Sequence, residues 1–196
     1  MDEAGAARVI ARALDGAIAL HQHVRRMDPA PIARAAAAIG RAVAEGRTVF
    51  AFGNGGSAAD AQHFAAELVG RFLRERAGLA AVALTPDASV LTSIANDYGF
   101  DRVFARQLEA LGRPGDVALA ISTSGRSRNV IAALDAAAAG GLTTIALTGG
   151  DGGPAGAAAD IHVNVPDPST PRVQEVHRTL LHAMCEYVEE RLTPDA

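Results

Sequence analysis

The chain has 196 residues, 49% of them apolar and 20% charged, with a formal net charge of −4. That is a globular balance with length enough for a sizeable core, and without a basic run or aromatic–basic interleaving a nucleic-acid partner is not expected. No apolar stretch approaches a membrane span, the opening MDEAGAARVI has no apolar signal-peptide core, and the single Cys185 fits a reducing cytoplasm.

Residues 3–26 read as a helix with Val9, Ile10, Leu14, Ile18 and Leu20 as its apolar positions. Asp28-Pro29 breaks it, and a second helix is expected from about 30 to 45, ending near Gly46. An α/β sheet does not require this pair, so it is expected outside the sheet, in a subunit interface. A strand near 48–53 follows, then a glycine loop, Gly53-Asn54-Gly55-Gly56-Ser57, and a helix near 57–73. Residues 80–84 form the second expected strand. Thr85-Pro86-Asp87 leads into a helical stretch to about Asn96, interrupted at Asp97-Tyr98-Gly99, and one helix is expected over 100–111. The third strand is DVALAIST (116–123). Ser124-Gly125-Arg126-Ser127 and a helix to about Ala139 follow. The fourth strand is expected over 143–147, the fifth over 161–165 after a short Ala-rich turn, and the last helix over 172–192.

Strands alternating with helices imply βαβ units and a mostly parallel sheet covered on both faces. The fold class is therefore α/β, a three-layer sandwich with a five-stranded parallel sheet. The chain reads as one domain, with a helical pair over 1–46 and the sandwich with its C-terminal helix over 47–196. In such sheets a ligand sits beyond the carboxyl ends of the strands.

Two loops lie at such ends. In the first, Asn54, Gly55, Gly56 and Ser57 open a helix, where free N–H groups and the macrodipole favour an anion. It is neither a GxGxxG nor a Gly-Lys-Ser/Thr loop, and alone it could serve only as a tight turn. In the second, Ser122, Thr123, Ser124 and Ser127 offer four hydroxyls. Ser127 is a candidate N-cap, which accounts for one of them, and Arg126 is either a charge-assisted contact or a solvated side chain. His63 and Glu67 share a helical face at i,i+4. The last helix carries Gln174, Glu175, His177 and His182, with His182 off the apolar stripe. Cys185 falls in an apolar helical run and reads as a buried small hydrophobe. Two phosphate-type loops with a His/Glu pair point to an enzyme acting on a phosphorylated small molecule.

The stretches GNGGSAADAQHFAAELVGRF (53–72), IANDYGFDRVFARQLEALGRPGDVALAISTSG (94–125), LTGGDGG (147–153) and RVQEVHRTLLHAMCEYVE (172–189) resemble the phosphoheptose isomerases of the sugar-isomerase (SIS) domain superfamily. The resemblance runs from about residue 30 onward. It implies aldose–ketose isomerisation of sedoheptulose 7-phosphate to D-glycero-D-manno-heptose 7-phosphate, the first step of heptose biosynthesis. It also implies a cytoplasmic homotetramer with active sites between subunits. By the same resemblance the serine-rich loop holds the phosphate. Asn54, Gly55, Gly56, Ser57, Arg71, Asn96, Asp97 and Gln174 contact the sugar phosphate, Glu67 and His182 are the acid/base pair, and His63, Glu67, Gln174 and His182 bind one zinc ion per subunit. Gln174 and His182 stand two turns, about 12 Å, apart on a helix, so both reach one ion only if their side chains converge. The sequence departs from the family at Arg126, where Asn is usual. A non-catalytic relative resembling the protein that associates with the replication initiator, a sugar-phosphate sensor and an isomerase of another phosphosugar are the alternatives. The co-occurrence of Glu67 and His182 argues against the first, and the lack of room for a DNA-binding module against the second.

Overall fold

The computed structural model describes residues 2–193. Five parallel strands, β1 (Val49–Gly53), β2 (Ala81–Ala83), β3 (Val117–Ser122), β4 (Thr143–Gly149) and β5 (Ile161–Val165), pair in the order β2-β1-β3-β4-β5. Phe50 lies beside Ala118 and Phe52 beside Ala120, so bulky residues of β1 meet small ones of β3. Successive residues of a strand face opposite sides, and here both sides are buried. Val49 and Ala51 join Val117, Leu119 and Ile121 in one core, whereas Phe50 and Phe52 join Ala118 and Ala120 in the other. This explains why the strands read as unbroken apolar runs.

Eight α-helices cover the sheet among the described residues. On one face lie α2 (Ala30–Ala44), α3 (Gly56–Val69) and α8 (Thr170–Leu192), with α1 (Glu3–Arg25) packed against α8. On the other lie α4 (Ala88–Tyr98), α5 (Ala105–Leu111), α6 (Arg128–Ala139) and α7 (Gly153–Ala157). The helical pair expected outside the sheet divides in two. Helix α2 buries Ala35, Ala36, Ala38, Ile39, Ala42 and Val43 against the sheet and α8 and belongs to the core. Helix α1 buries only Leu20 and leaves Val9, Ile10, Leu14 and Ile18 more than half exposed.

The expected Ala-rich turn is the short helix α7, and α8 starts two residues earlier than expected, at Thr170; four further differences each have a local reason. Helix α4 continues through Asp97 and Tyr98 and stops at Gly99, whose φ of 85° leaves helical space. Beyond it the expected single helix splits into a 3₁₀ turn (Phe100–Arg102) and α5, and Phe104 at the junction packs on Phe52 with ring centroids 5.5 Å apart. Strand β4 runs two residues further than expected, to Gly149. Thr148 gains partners there: its hydroxyl meets His162 Nε2 at 2.6 Å and Asn164 Oδ1 at 2.9 Å, and its carbonyl accepts from His177 Nε2 at 2.9 Å.

The fourth difference matters most for the site. Helix α3 ends at Val69, a turn early, and the chain becomes a strap. The buried Glu189 of α8 accepts the N–H groups of Phe72 (2.8 Å), Leu73 (2.7 Å) and Arg74 (2.8 Å). Arg76, whose side chain is 4% exposed, completes the joint. Its Nε lies 3.1 Å from Glu189 Oε1, a charge contact outside hydrogen-bond geometry, and its terminal nitrogens donate to the carbonyls of Glu67 (2.7 Å) and Leu68 (2.9 Å). Those carbonyls belong to the last turn of α3, where no helical N–H remains to satisfy them.

Burial pushes the Glu189 carboxyl up, but the three N–H bonds and Arg76 outweigh it and hold it below its ordinary value of 4.5. The stabilisation it supplies is therefore present above about pH 4.5 and is lost as pH falls through the depressed value. Glu189→Gln keeps the shape but turns an acceptor oxygen into a donor facing N–H groups, and should cost about 3–5 kcal/mol in urea unfolding, with a flatter acid limb in the stability–pH curve. An unchanged unfolding midpoint would show that the strap is held by something else.

Candidate active site

Both expected phosphate-type loops open onto one cleft at the carboxyl ends of β1 and β3. It encloses about 290 Å³ and is lined by Asn54, Gly55, Gly56 and Ser57, by Ser122, Thr123, Ser124 and Ser127, and by Thr170 and Gln174 of α8. Gly55 has φ of 56°, which directs the chain from the strand end into α3 and disfavours a side chain. Gly56 is pressed by the Gln174 amide, which a Cβ at this position would strike. Ser127 stands at the N-cap position of α6, but its hydroxyl makes no capping bond and lies 3.4 Å from the Ser122 hydroxyl. The capping role open to it from sequence is thus not taken, and all four hydroxyl residues line the cleft.

No arginine side chain lines this cleft among the described residues. Arg126 turns away to pair with Asp151, an exposed contact between two loops. An anion in the cleft would meet the hydroxyls and the starts of α3 and α6, whose unpaired N–H groups and dipoles favour negative charge. Asn54 is already engaged: its amide exchanges two hydrogen bonds of 2.9 Å with the buried Asn129 amide.

The acid/base candidates lie further along α3 and α8, which run side by side in one direction. Asp60 accepts from Arg178 Nε at 2.8 Å, and the offset between partners stays at 117 to 119 residues from this pair to Phe72 and Glu189. Between those two rungs His63 Nε2 meets His182 Nε2 at 2.7 Å, and Glu67 Oε1 lies 3.3 Å from His63 Nε2. At this contact one imidazole donates and the other accepts, and which one does so depends on the tautomer. Phe72 stacks near His182 with centroids 5.2 Å apart. His63 is held below its ordinary pKa of 6.5 by burial first and by Arg178 second, with Glu67 opposing.

The ligand atoms of His63, Glu67 and His182 all lie within 4.8 Å of one another. Two imidazole nitrogens and a carboxylate oxygen are a donor set suited to zinc, and catalytic zinc sites commonly use three protein ligands. Gln174 is not in this group: it lies against Gly56, seven residues, or about 10 Å along the helix, before His63. Arg71 is exposed beside Glu75 at 3.5 Å. Asn96 and Asp97 bond to each other at 2.7 Å on the exposed end of α4. These three do not line the cleft within one chain. His177 is a core residue, its Nδ1 unpartnered, and burial pushes its pKa down. Glu175 pairs with Arg172 at 2.7 Å. Cys185 is buried, and burial pushes its thiol up to about 12.

The SIS domain family model matches residues 14–149. A phosphoheptose isomerase of Methylibium petroleiphilum is 54% identical over 165 residues, covering 83% of this chain and 82% of that protein. One from Geobacter sulfurreducens is 56% identical over 163 residues, covering 83% and 86%. The solved structure of phosphoheptose isomerase from Neisseria gonorrhoeae superposes with a TM-score of 0.88 at 47% identity, covering 93% of this chain and 98% of that one. With a cleft built at the strand ends, and with identity of this order over most of both chains, the chain belongs to the phosphoheptose isomerase family of SIS-domain proteins.

Proposed function

We propose that this chain is the aldose–ketose isomerase that converts sedoheptulose 7-phosphate to D-glycero-D-manno-heptose 7-phosphate, the first step of heptose biosynthesis. The observation that carries the reading is the placement of two chemistries on one helix. The loop cleft opens at Gly56, and the His63, Glu67 and His182 cluster begins two turns later. That span of about 10 Å is comparable to an extended seven-carbon chain with its phosphate at one end and its carbonyl at the other.

In this reading Ser122, Thr123, Ser124 and Ser127, with the N–H groups of Gly55 and Gly56 and the Ser57 hydroxyl, hold the phosphate. Asn54 and Gln174 meet the sugar hydroxyls. Glu67 removes the C1 proton of the open-chain ketose and returns it to C2. His182 moves the O1 proton to O2, so atoms and charge balance across a cis-enediol. The Arg76 bonds to the end of α3 fix the turn that carries Glu67. His63, Glu67 and His182 would hold a zinc ion. When bound, the ion would polarise the carbonyl and stabilise the negative charge of the enediolate. Gln174 joins that set only by turning away from Gly56, and it serves the sugar in the conformation seen.

We further propose a cytoplasmic homotetramer with sites between subunits. The apolar stripe Val9, Ile10, Leu14 and Ile18 on α1 supports self-association. The outward position of Arg71, Asn96 and Asp97 supports a site completed by a neighbouring copy.

Glu67→Gln should lower kcat for the heptose phosphate by about 10²–10⁴-fold while the dissociation constant for sedoheptulose 7-phosphate stays within about threefold; wild-type turnover in this variant would remove Glu67 as the base. Metal analysis and calorimetry should find one zinc per chain, and His63→Ala should weaken zinc binding beyond the roughly 10–100-fold cost of losing a supporting residue. Unaltered zinc affinity in His63→Ala would place the metal elsewhere.

A further inference from the structure

The two loops of the cleft come from segments 75 residues apart, and a side-chain pair joins them: Asn54 of the first loop and Asn129 in the first turn of α6. The pair is reciprocal. Asn54 Nδ2 donates to Asn129 Oδ1 and Asn129 Nδ2 donates to Asn54 Oδ1, both at 2.9 Å. A primary amide offers two N–H donors and an oxygen with two lone pairs. The exchange uses one donor and one lone pair of Asn54, fixes which way its amide points, and leaves one donor and one lone pair for the cleft that Asn54 lines. Asn129 is 3% exposed and does not line the cleft. It cannot touch a ligand there, and its amide is engaged with Asn54 on both edges.

From this geometry we infer that Asn129 is a positioning residue: its amide sets the orientation of Asn54 and locks the glycine loop to the serine-rich loop, so that both grip one phosphorylated ligand. The inference rests on the sugar-phosphate reading of the cleft. Leucine at this position would fill the space, and aspartate could accept from Asn54 but not donate to it. Only an amide meets Asn54 on both edges.

The test is a double-mutant cycle on the full chain, reading the dissociation constants of inorganic phosphate and of sedoheptulose 7-phosphate by calorimetry, with thermal unfolding as a control. Asn129→Ala should weaken sugar-phosphate binding about tenfold in the wild-type background, the loss expected when a bonded polar group is left unpaired. In an Asn54→Ala background the same change should cost less than about twofold, because the residue it acts through is gone. Should Asn129→Ala fail to fold, Asn129→Ser carries the same cycle with a smaller cavity. Wild-type binding in the single variant, or an equal loss in both backgrounds, would overturn the inference. A wild-type chain that binds sedoheptulose 7-phosphate without isomerising it would refute the isomerase reading and leave this inference standing. A wild-type chain that binds neither probe would overturn both.

Discussion

Everything at the site depends on two helices, far apart in sequence, running side by side in a fixed register. Helices that follow strands of a parallel sheet all run back along it in the same direction, so α3 after β1 and α8 after β5 are parallel and start at the same edge. Their facing side chains then meet at a nearly constant offset, as a series of polar rungs: Asp60 with Arg178, His63 with His182, and the strap at Phe72 with Glu189. A slip of one turn, about 5.4 Å, would break every rung. The apolar core beneath supplies the affinity of one helix for the other, and the polar rungs choose the register.

That arrangement also separates two electrostatic tasks. At the helix starts, hydroxyls and backbone N–H groups face a cleft with no arginine side chain among the described residues. In the proposed reading, partial charges spread over a rigid frame would hold the anion without a long cationic side chain to order on binding. Two turns on, imidazoles and a carboxylate crowd within 4.8 Å. At His63, burial first and the Arg178 charge second favour the neutral imidazole against the opposing pull of Glu67, and neutral imidazole is the form that can bind a metal or accept a proton.

Much of this was legible in the sequence. Unbroken apolar strands, glycine turns and helical spacing give the parallel sheet and place both loops at strand ends. His63 and Glu67 are four apart, so their meeting is local and readable. What escaped notice is non-local. Asn129 looks like an ordinary first-turn residue until β1 and β3 pair and bring Asn54 to it. Glu189 looks like a solvated glutamate near a chain end. Its three N–H partners lie more than 100 residues away, and they explain why α3 stops before Phe72 despite a helical pattern there. The alanine-rich α2 gave no sign that it belongs to the core rather than outside, because small residues suit both close helix packing and exposed helix faces. Arg126, the visible departure from the family pattern, pairs with Asp151 and does not enter the cleft.

The central claim is that one chain fold holds a phosphate at the loops and moves a proton at the far end of the same sugar. The most direct test is to incubate the purified wild-type protein with sedoheptulose 7-phosphate, with zinc supplied, and to follow the open-chain and anomeric proton signals of the aldoheptose 7-phosphate by NMR. The account predicts conversion to an aldose–ketose equilibrium that is also reached from the aldose side. A folded, zinc-loaded protein that binds the ketose but yields no aldose would contradict it.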